Sequence, residues 1–149
     1  MKIRNIILML VALTGICVTG CKKDNGGDKG PSVIGDWHLV EIGAVSKSQE
    51  PYDISVYVSF SKDGTFELWQ KLQDGPYIHY AGSWEQDYTI LYGYYSDGTA
   101  FGSTSYSVGM DGENLTLTAN NGTGEVTTYE KVSVPSSVKS SAVEAADRN

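Results

Sequence analysis

The chain has 149 residues, with 18 Asp and Glu against 11 Lys and Arg and a formal net charge of −7. Nucleic-acid binding depends on clustered Lys and Arg, so this acidic balance excludes nucleic acid as an expected partner. The length suffices for one folded domain and a leader segment, but not for two domains.

An apolar segment follows two basic residues at the start of the chain. Lys2 and Arg4 precede a nearly continuous apolar run over residues 6–18. A run of about 13 residues is too short to cross a bilayer, which takes roughly 20. The pattern therefore predicts a signal peptide over residues 1–20.

The end of this segment resembles the lipobox of bacterial lipoproteins. Val18 lies three positions before Cys21, and the small residue Gly20 lies directly before it. The resemblance implies that Cys21 becomes the first mature residue and carries acyl chains, palmitate among them, that anchor the protein in a membrane. The alternative is an ordinary signal peptide that leaves Cys21 a free thiol. Lys22 is not the aspartate that retains lipoproteins at the inner membrane, so we expect the outer membrane, on its periplasmic face or at the cell surface.

Residues 21–31 are rich in Gly, Lys and Asp, which predicts a flexible tether between Cys21 and the folded domain. Removing Lys2 and Arg4 with the signal peptide leaves 9 basic against 18 acidic residues, a formal −9. Cys17 leaves with the signal peptide and Cys21 is acylated, so we expect no disulfide and stability from packing alone.

Residues 32–134 form the predicted domain, and their many Tyr, Trp and Gly residues favour strands and tight turns. Four Asp-Gly dipeptides, beginning at residues 63, 74, 97 and 111, are strong hairpin signals. The clearest strand is Ile54–Phe60, in which every second residue is apolar. We predict eight strands, at residues 36–43, 54–61, 64–72, 77–86, 88–94, 99–109, 113–119 and 125–133. Their number and spacing favour an antiparallel up-and-down barrel or a sandwich.

Residues 135–149 form a tail after the predicted domain. The segment 136–146 is expected either to form a short helix, with Val138, Ala142 and Val143 on one side, or to be disordered.

Short motifs along the domain resemble those of the bacterial lipocalin-like domain family of small outer-membrane lipoproteins. The first motif, Gly35-Asp36-Trp37, matches the Gly-x-Trp start of lipocalins. The other stretches that carry the resemblance are Phe60 to Phe66, Gly82-Ser83-Trp84, Tyr95 to Thr99, Asn114-Leu115-Thr116-Leu117 and Tyr129-Glu130-Lys131. It implies an eight-stranded antiparallel barrel or a strongly curved sandwich, with Trp37 packed at the closed end.

Eight strands enclose a space that side chains fill or that holds one small ligand, and the sequence leaves both alternatives open. The predicted core comprises Trp37, Leu39, Val56, Val58, Phe60, Phe66, Trp84, Leu115 and Leu117.

Motifs for catalysis, metals and cofactors are missing from the sequence. His38 and His79 lie in predicted strands without metal-ligand spacing, so we expect hydrogen-bonded or exposed side chains. The Asp-Gly turns lack the ligand array of a calcium loop, and no nucleophile elbow or phosphate loop occurs. Glu67, Glu85 and Asp87 are more typical of solvated carboxylates than of a glycosidase pair. We expect no enzymatic activity, no metal and no cofactor.

Tyrosines concentrate in and directly after the fifth predicted strand, at residues 88, 92, 94 and 95. Tyr and Trp offer a flat apolar body with a polar edge, which suits a lipophilic ligand or a sugar ring. We therefore assign Tyr57, Trp69, Tyr92 and Tyr94 as candidate ligand-binding residues for a small apolar or amphipathic ligand. The alternative is a non-enzymatic surface module for a protein or glycan partner, which outward-facing aromatics favour.

Overall fold

The computed structural model describes residues 30–43, 45–46 and 53–145. The predicted signal peptide 1–20, Cys21 and the tether up to residue 29 lie outside the described residues. The strands are β1 (Gly35–Ile42), β2 (Val45–Ser46), β3 (Ile54–Phe60), β4 (Thr65–Leu72), β5 (Ile78–Asp87), β6 (Ile90–Tyr95), β7 (Tyr106–Asp111), β8 (Asn114–Ala119), β9 (Val126–Lys131) and β10 (Val143–Glu144). An α-helix spans Ser136–Ser141.

Eight of these strands form a closed antiparallel up-and-down barrel, as the sequence predicts. Strands β3 to β9 pair in sequence order, and β9 then pairs with β1, which in turn pairs with β3. The fold is therefore an eight-stranded barrel of the lipocalin-like kind with one short helix outside it. Strand β2 pairs antiparallel with the end of β1, and β10 pairs parallel with the start of β5.

The Asp-Gly dipeptides lie at connections between strands or directly after a strand, as predicted. At the β3–β4 turn, Asp63 accepts hydrogen bonds from the Thr65 N–H at 3.0 Å and the Thr65 hydroxyl at 2.6 Å. These bonds lower the pKa of Asp63. Gly64 follows with φ of +84°, a conformation that favours glycine. The dipeptide thus stabilises this turn through both of its residues.

Alternation along the strands sends one set of side chains into the barrel. All the predicted core residues are buried except Trp84, which is partly buried and packs against the others. The barrel core also includes residues absent from the predicted set, namely Val33, Leu68, Leu91, Phe101, Val108 and Tyr129.

One end of the barrel, which we call the closed end, is sealed by Trp37 and its neighbours. The Trp37 indole N–H donates to the carbonyl of fully buried Val33 at 2.7 Å, and the Lys131 ammonium lies 5.2 Å from the centre of the indole ring. Trp84 donates to the Ser61 carbonyl at 3.0 Å and meets Phe60 edge to face. These contacts cover the core where the chain enters the fold.

The described chain begins at this closed end. Gln86 donates its side-chain N–H to the Pro31 carbonyl at 2.7 Å, and a Cβ at Gly30 would lie 2.2 Å from the Tyr88 carbonyl oxygen. Gly30 and Pro31, assigned to the tether from the sequence, therefore contact the β5–β6 turn.

Two of the predicted boundaries are wrong. The predicted strand 99–109 begins only at Tyr106, because Phe101–Ser103 forms a 3₁₀ turn that places Phe101 inside the barrel. The predicted helix 136–146 ends at Ser141, because the Val143 N–H donates to the Tyr77 carbonyl and β10 begins. Val138 is buried, whereas Val143, predicted to lie on the same side of the helix, is exposed.

Candidate functional site

Aromatic side chains fill the middle of the barrel. Phe66 meets Phe101 at a centroid distance of 5.4 Å and Tyr95 at 5.8 Å, both edge to face. Tyr95 and Tyr80 are 5.5 Å apart, which extends the same cluster toward the other end. Of the two alternatives left by the sequence, side-chain filling describes this layer of the interior.

A recess of about 190 Å³ lies at the end opposite to Trp37, which we call the open end. Its lining consists of Gln70, Leu72, Gly75, Pro76, Ile78 and Tyr80. Gln70 pairs with Ile78 across β4 and β5, so both side chains point to the same face of the sheet as Leu68, which belongs to the barrel core. The recess is therefore the continuation of the barrel interior beyond its packed layer.

The chemistry of the recess is apolar with a small polar component. Aliphatic and proline side chains supply most of the wall, while Gln70 adds an amide and Tyr80 a hydroxyl. A cavity of about 150 Å³ suffices for one benzene-sized group. The recess thus accommodates a ring or a short alkyl chain, with an amide that can donate to or accept from a polar head group.

The structure separates the four candidate ligand residues into two pairs, neither of which lines the recess. Tyr57 and Trp69 are cross-strand neighbours on the outer face of β3 and β4, because Val56, Val58 and Leu68 take the inward positions. Trp69 is only 3% exposed, since Val134 and Val138 of the C-terminal segment cover it. Trp69 therefore packs under the C-terminal segment and does not line the recess.

Tyr92 and Tyr94 also point outward, on β6. Tyr92 and Tyr94 are 39% and 44% exposed. Leu91, which takes an inward position on the same strand, is buried. Their cross-strand partners on β5 are Glu85 and Ser83. The two tyrosines therefore present a surface and do not contribute to the barrel interior.

Both histidines are hydrogen-bonded to carboxylates on the outer surface. The His38 Nδ1 lies 3.1 Å from the Glu130 carboxylate, and the ring stacks on Tyr57. His79 stacks on Trp69 and lies between two carboxylates, 2.8 Å from Glu144 and 3.2 Å from Glu67. His79 thereby links β5 to the C-terminal strand.

In the part of the chain that the structure describes, no group of three or more His, Cys, Asp or Glu side chains is arranged to hold a metal ion. Glu67, one of the carboxylates considered for glycosidase chemistry, is engaged by His79. Glu85 and Asp87 lie exposed on the same strand.

The residues that line the recess were not predicted from the sequence, although the pattern of β4 contains a signal for them. Along β4 the inward positions are Phe66, Leu68, Gln70 and Leu72, so a polar residue interrupts an otherwise apolar face. A single polar group within an apolar lining is typical of small-molecule sites. The pattern is visible in the sequence once the inward face of β4 is known.

Burial of Tyr129 within the barrel gives a prediction for alkaline pH. Burial raises the pKa of Tyr129 from 10.0 to about 12. Between these two pH values the folded state keeps the Tyr129 proton, whereas the unfolded state loses it. The contribution of the protonated Tyr129 to the free energy of unfolding is therefore complete below pH 10 and is lost as pH rises toward 12. We expect the free energy of unfolding of the wild type to fall by about 1.4 kcal/mol per pH unit more steeply than that of Tyr129→Phe in this window. Urea unfolding of both proteins from pH 9 to 12 measures the difference, and parallel curves would contradict it.

Among the described residues, no helix is long and apolar enough to cross a membrane. No protein-family model and no curated protein matches this chain.

Proposed function

We propose that this chain is a lipid-anchored, non-enzymatic, lipocalin-like barrel that binds a small apolar or amphipathic ligand at its open end. The observation that carries the proposal is the recess formed by Gln70, Leu72, Ile78 and Tyr80, with the hairpin between them. Ligand sites are concave, mostly apolar and furnished with few polar groups, which describes this lining. Its volume limits the buried part of the ligand to a ring or a short alkyl chain.

Leu72 offers a direct test because it lines the recess and is 54% exposed. Leu72→Trp should fill the recess without disturbing the core, and we expect it to weaken binding of 1-hexanol at least tenfold. Tyr92→Ala, on the outer face of β6, is the matched control and should leave hexanol binding unchanged. Isothermal titration calorimetry measures both affinities.

Equal hexanol affinities of the wild type and Leu72→Trp would contradict the proposal. Native mass spectrometry of the protein purified from its own host should show a bound small molecule that is missing from Leu72→Trp.

The anchor is the second part of the proposal. Acylation of Cys21 would attach the barrel to the outer membrane through residues 22–29. The described chain starts at Gly30 beside the β5–β6 turn, whereas the recess lies at the other end of β5. Gly30 and the recess therefore lie at opposite ends of β5, about 30 Å apart at roughly 3.3 Å for each of its 10 residues.

Substitution of the predicted acylation site tests this anchor. Cys21→Ser should abolish labelling by radioactive palmitate and release the protein from the membrane fraction, because the thioether cannot form. Cys17→Ser, inside the predicted signal peptide, is the control and should be labelled as the wild type is. Persistent labelling of Cys21→Ser would contradict the assignment, and protease treatment of intact cells would distinguish the cell surface from the periplasmic face.

The exposed pair Tyr92 and Tyr94 supports a second candidate function, a surface for a glycan or a protein. Both rings lie on one face of β6 next to Glu85 and Ser83, so flat apolar surface adjoins hydrogen-bonding groups. On this alternative, Tyr92→Ala weakens retention of the protein on immobilised envelope polysaccharide of its host, while Leu72→Trp has no effect. The opposite pattern of effects supports the recess.

A further inference from the structure

Gln70 is a polar side chain in an aliphatic part of the recess wall. Its cross-strand neighbours on the inward face are Val56 on β3 and Ile78 on β5. Along β4 the preceding and following inward residues are Leu68 and Leu72. All four neighbours are aliphatic, so none of them offers the Gln70 amide a hydrogen-bonding side chain.

The Gln70 amide is accordingly unpaired. Within the described residues its side chain makes no hydrogen bond, although the residue is partly buried. An amide has two N–H donors and a carbonyl acceptor. A ligand that covered this amide without bonding to it would remove its water and leave these groups unsatisfied, which costs free energy. The wall therefore favours a ligand group that both donates and accepts.

The depth of Gln70 indicates how such a ligand would lie. Leu68, on the inner side, belongs to the barrel core, whereas Leu72, on the outer side, is 54% exposed. Neighbouring inward positions are about 7 Å apart, at roughly 3.3 Å per strand residue. A head group bonded to Gln70 would therefore lie below the rim, and a short alkyl chain would run outward along Leu72 and Ile78.

The charges around the recess disfavour an anionic head group. None of the six residues that line it is charged. Lys71 of β4 faces outward, with its ammonium 6.0 Å from the centre of the Tyr77 ring. Asp74, directly before Gly75 of the lining, adds a negative charge to the hairpin. A carboxylate covered by this lining would lose its water without gaining a cation, and an unpaired buried charge costs more than an unpaired neutral group.

We propose that Gln70 is the specificity-determining residue of the recess and selects a neutral head group that both donates and accepts hydrogen bonds, a primary amide or an alcohol. The same recess rejects carboxylates of equal chain length. This inference rests on the proposed function, since it names the ligand class that the recess takes.

Hexanamide and hexanoate test this selection, because the two compounds have equal carbon chains and differ in the head group. Isothermal titration calorimetry of the full chain at pH 7 should show at least tenfold tighter binding of hexanamide. This comparison uses the wild type alone, so it does not depend on the folding of a variant. Equal affinities for hexanamide and hexanoate would overturn the proposal.

Gln70→Leu tests the residue itself, because leucine fills a similar volume without the amide. We expect the variant to bind hexanamide at least fivefold more weakly, since the head group loses its partner. Toluene, which has no head group, should bind the variant at least as tightly as the wild type, which also shows that the recess is intact. Equal losses of both affinities would contradict the role of the Gln70 amide.

Gln73→Leu is the matched control, since it makes the same substitution at an exposed hairpin position outside the lining. It should leave the affinities for hexanamide and toluene unchanged. Toluene and 1-hexanol report on the recess separately from the selection. Their binding without discrimination between hexanamide and hexanoate would overturn this inference alone, whereas failure of every probe to bind the wild type would overturn the proposed function as well.

Discussion

Trp37→Ala should lower the free energy of unfolding by about 3–5 kcal/mol, the usual cost of removing a large buried aromatic side chain. Trp37 is 2% exposed, and its indole N–H is bonded to the Val33 carbonyl at 2.7 Å. The substitution leaves a cavity at the closed end and an unpaired carbonyl on a fully buried residue. Domains of this size have a total stability of about 5–15 kcal/mol, so a large part of it would be lost. Urea unfolding followed by circular dichroism measures the change.

Trp37→Phe is the matched variant, because it keeps a buried ring and removes only the indole N–H. We expect it to cost about 1–3 kcal/mol, most of which reflects the unsatisfied Val33 carbonyl. A loss below 1 kcal/mol for Trp37→Ala would show that the closed end does not depend on this side chain.

Gly82→Ala should destabilise the barrel by about 3 kcal/mol, although it adds only one methyl group. A Cβ at Gly82 would lie 2.0 Å from the Tyr94 carbonyl oxygen and 2.8 Å from the Phe66 ring. The first of these atoms belongs to the backbone of the neighbouring strand, so β5 and β6 would have to separate where Gly82 pairs with Tyr95. Chemical unfolding and the melting temperature both report this change.

Gly109→Ala is the control for the Gly82 variant, since it makes the same substitution in another strand. Its Cβ would approach only the Thr116 hydroxyl, at 2.7 Å, and a side-chain hydroxyl can rotate away. We expect a change within about 1 kcal/mol, because a compatible Gly→Ala substitution also reduces the entropy of the unfolded chain. Equal losses in the two variants would exclude the close approach of β5 and β6 as the cause.

Local patterns were sufficient to predict the barrel strands. The alternation from Ile54 to Phe60 identifies β3 because side chains of a strand point to opposite faces in turn. Asp63-Gly64 and the other Asp-Gly dipeptides locate turns because both residue types stabilise turn conformations through their own backbone and side chain. These signals act over a few neighbouring residues, so they do not depend on the rest of the fold.

Long-range packing explains the failures. Phe101 follows a turn in a segment with strand-like composition, yet its ring enters the barrel because Phe66, Tyr95 and Gly93 leave a space for it. Trp69 resembles a ligand-binding aromatic in sequence, but Val138, about 70 residues away in the chain, covers it. Both contacts join residues that are distant in the chain, so the periodicity of neighbouring residues does not predict them.

By itself, the sequence determined the fold class, the turns and most of the core, because strand alternation and turn chemistry are properties of adjacent residues. It also predicts the acylated Cys21, since that prediction depends on a short motif and not on a fold. Only the tertiary structure decided which aromatics face inward together and where the interior remains open. The recess beside Gln70 and the aromatic cluster around Phe101 form where distant strands and one loop meet, and their shape is set by packing across the whole barrel.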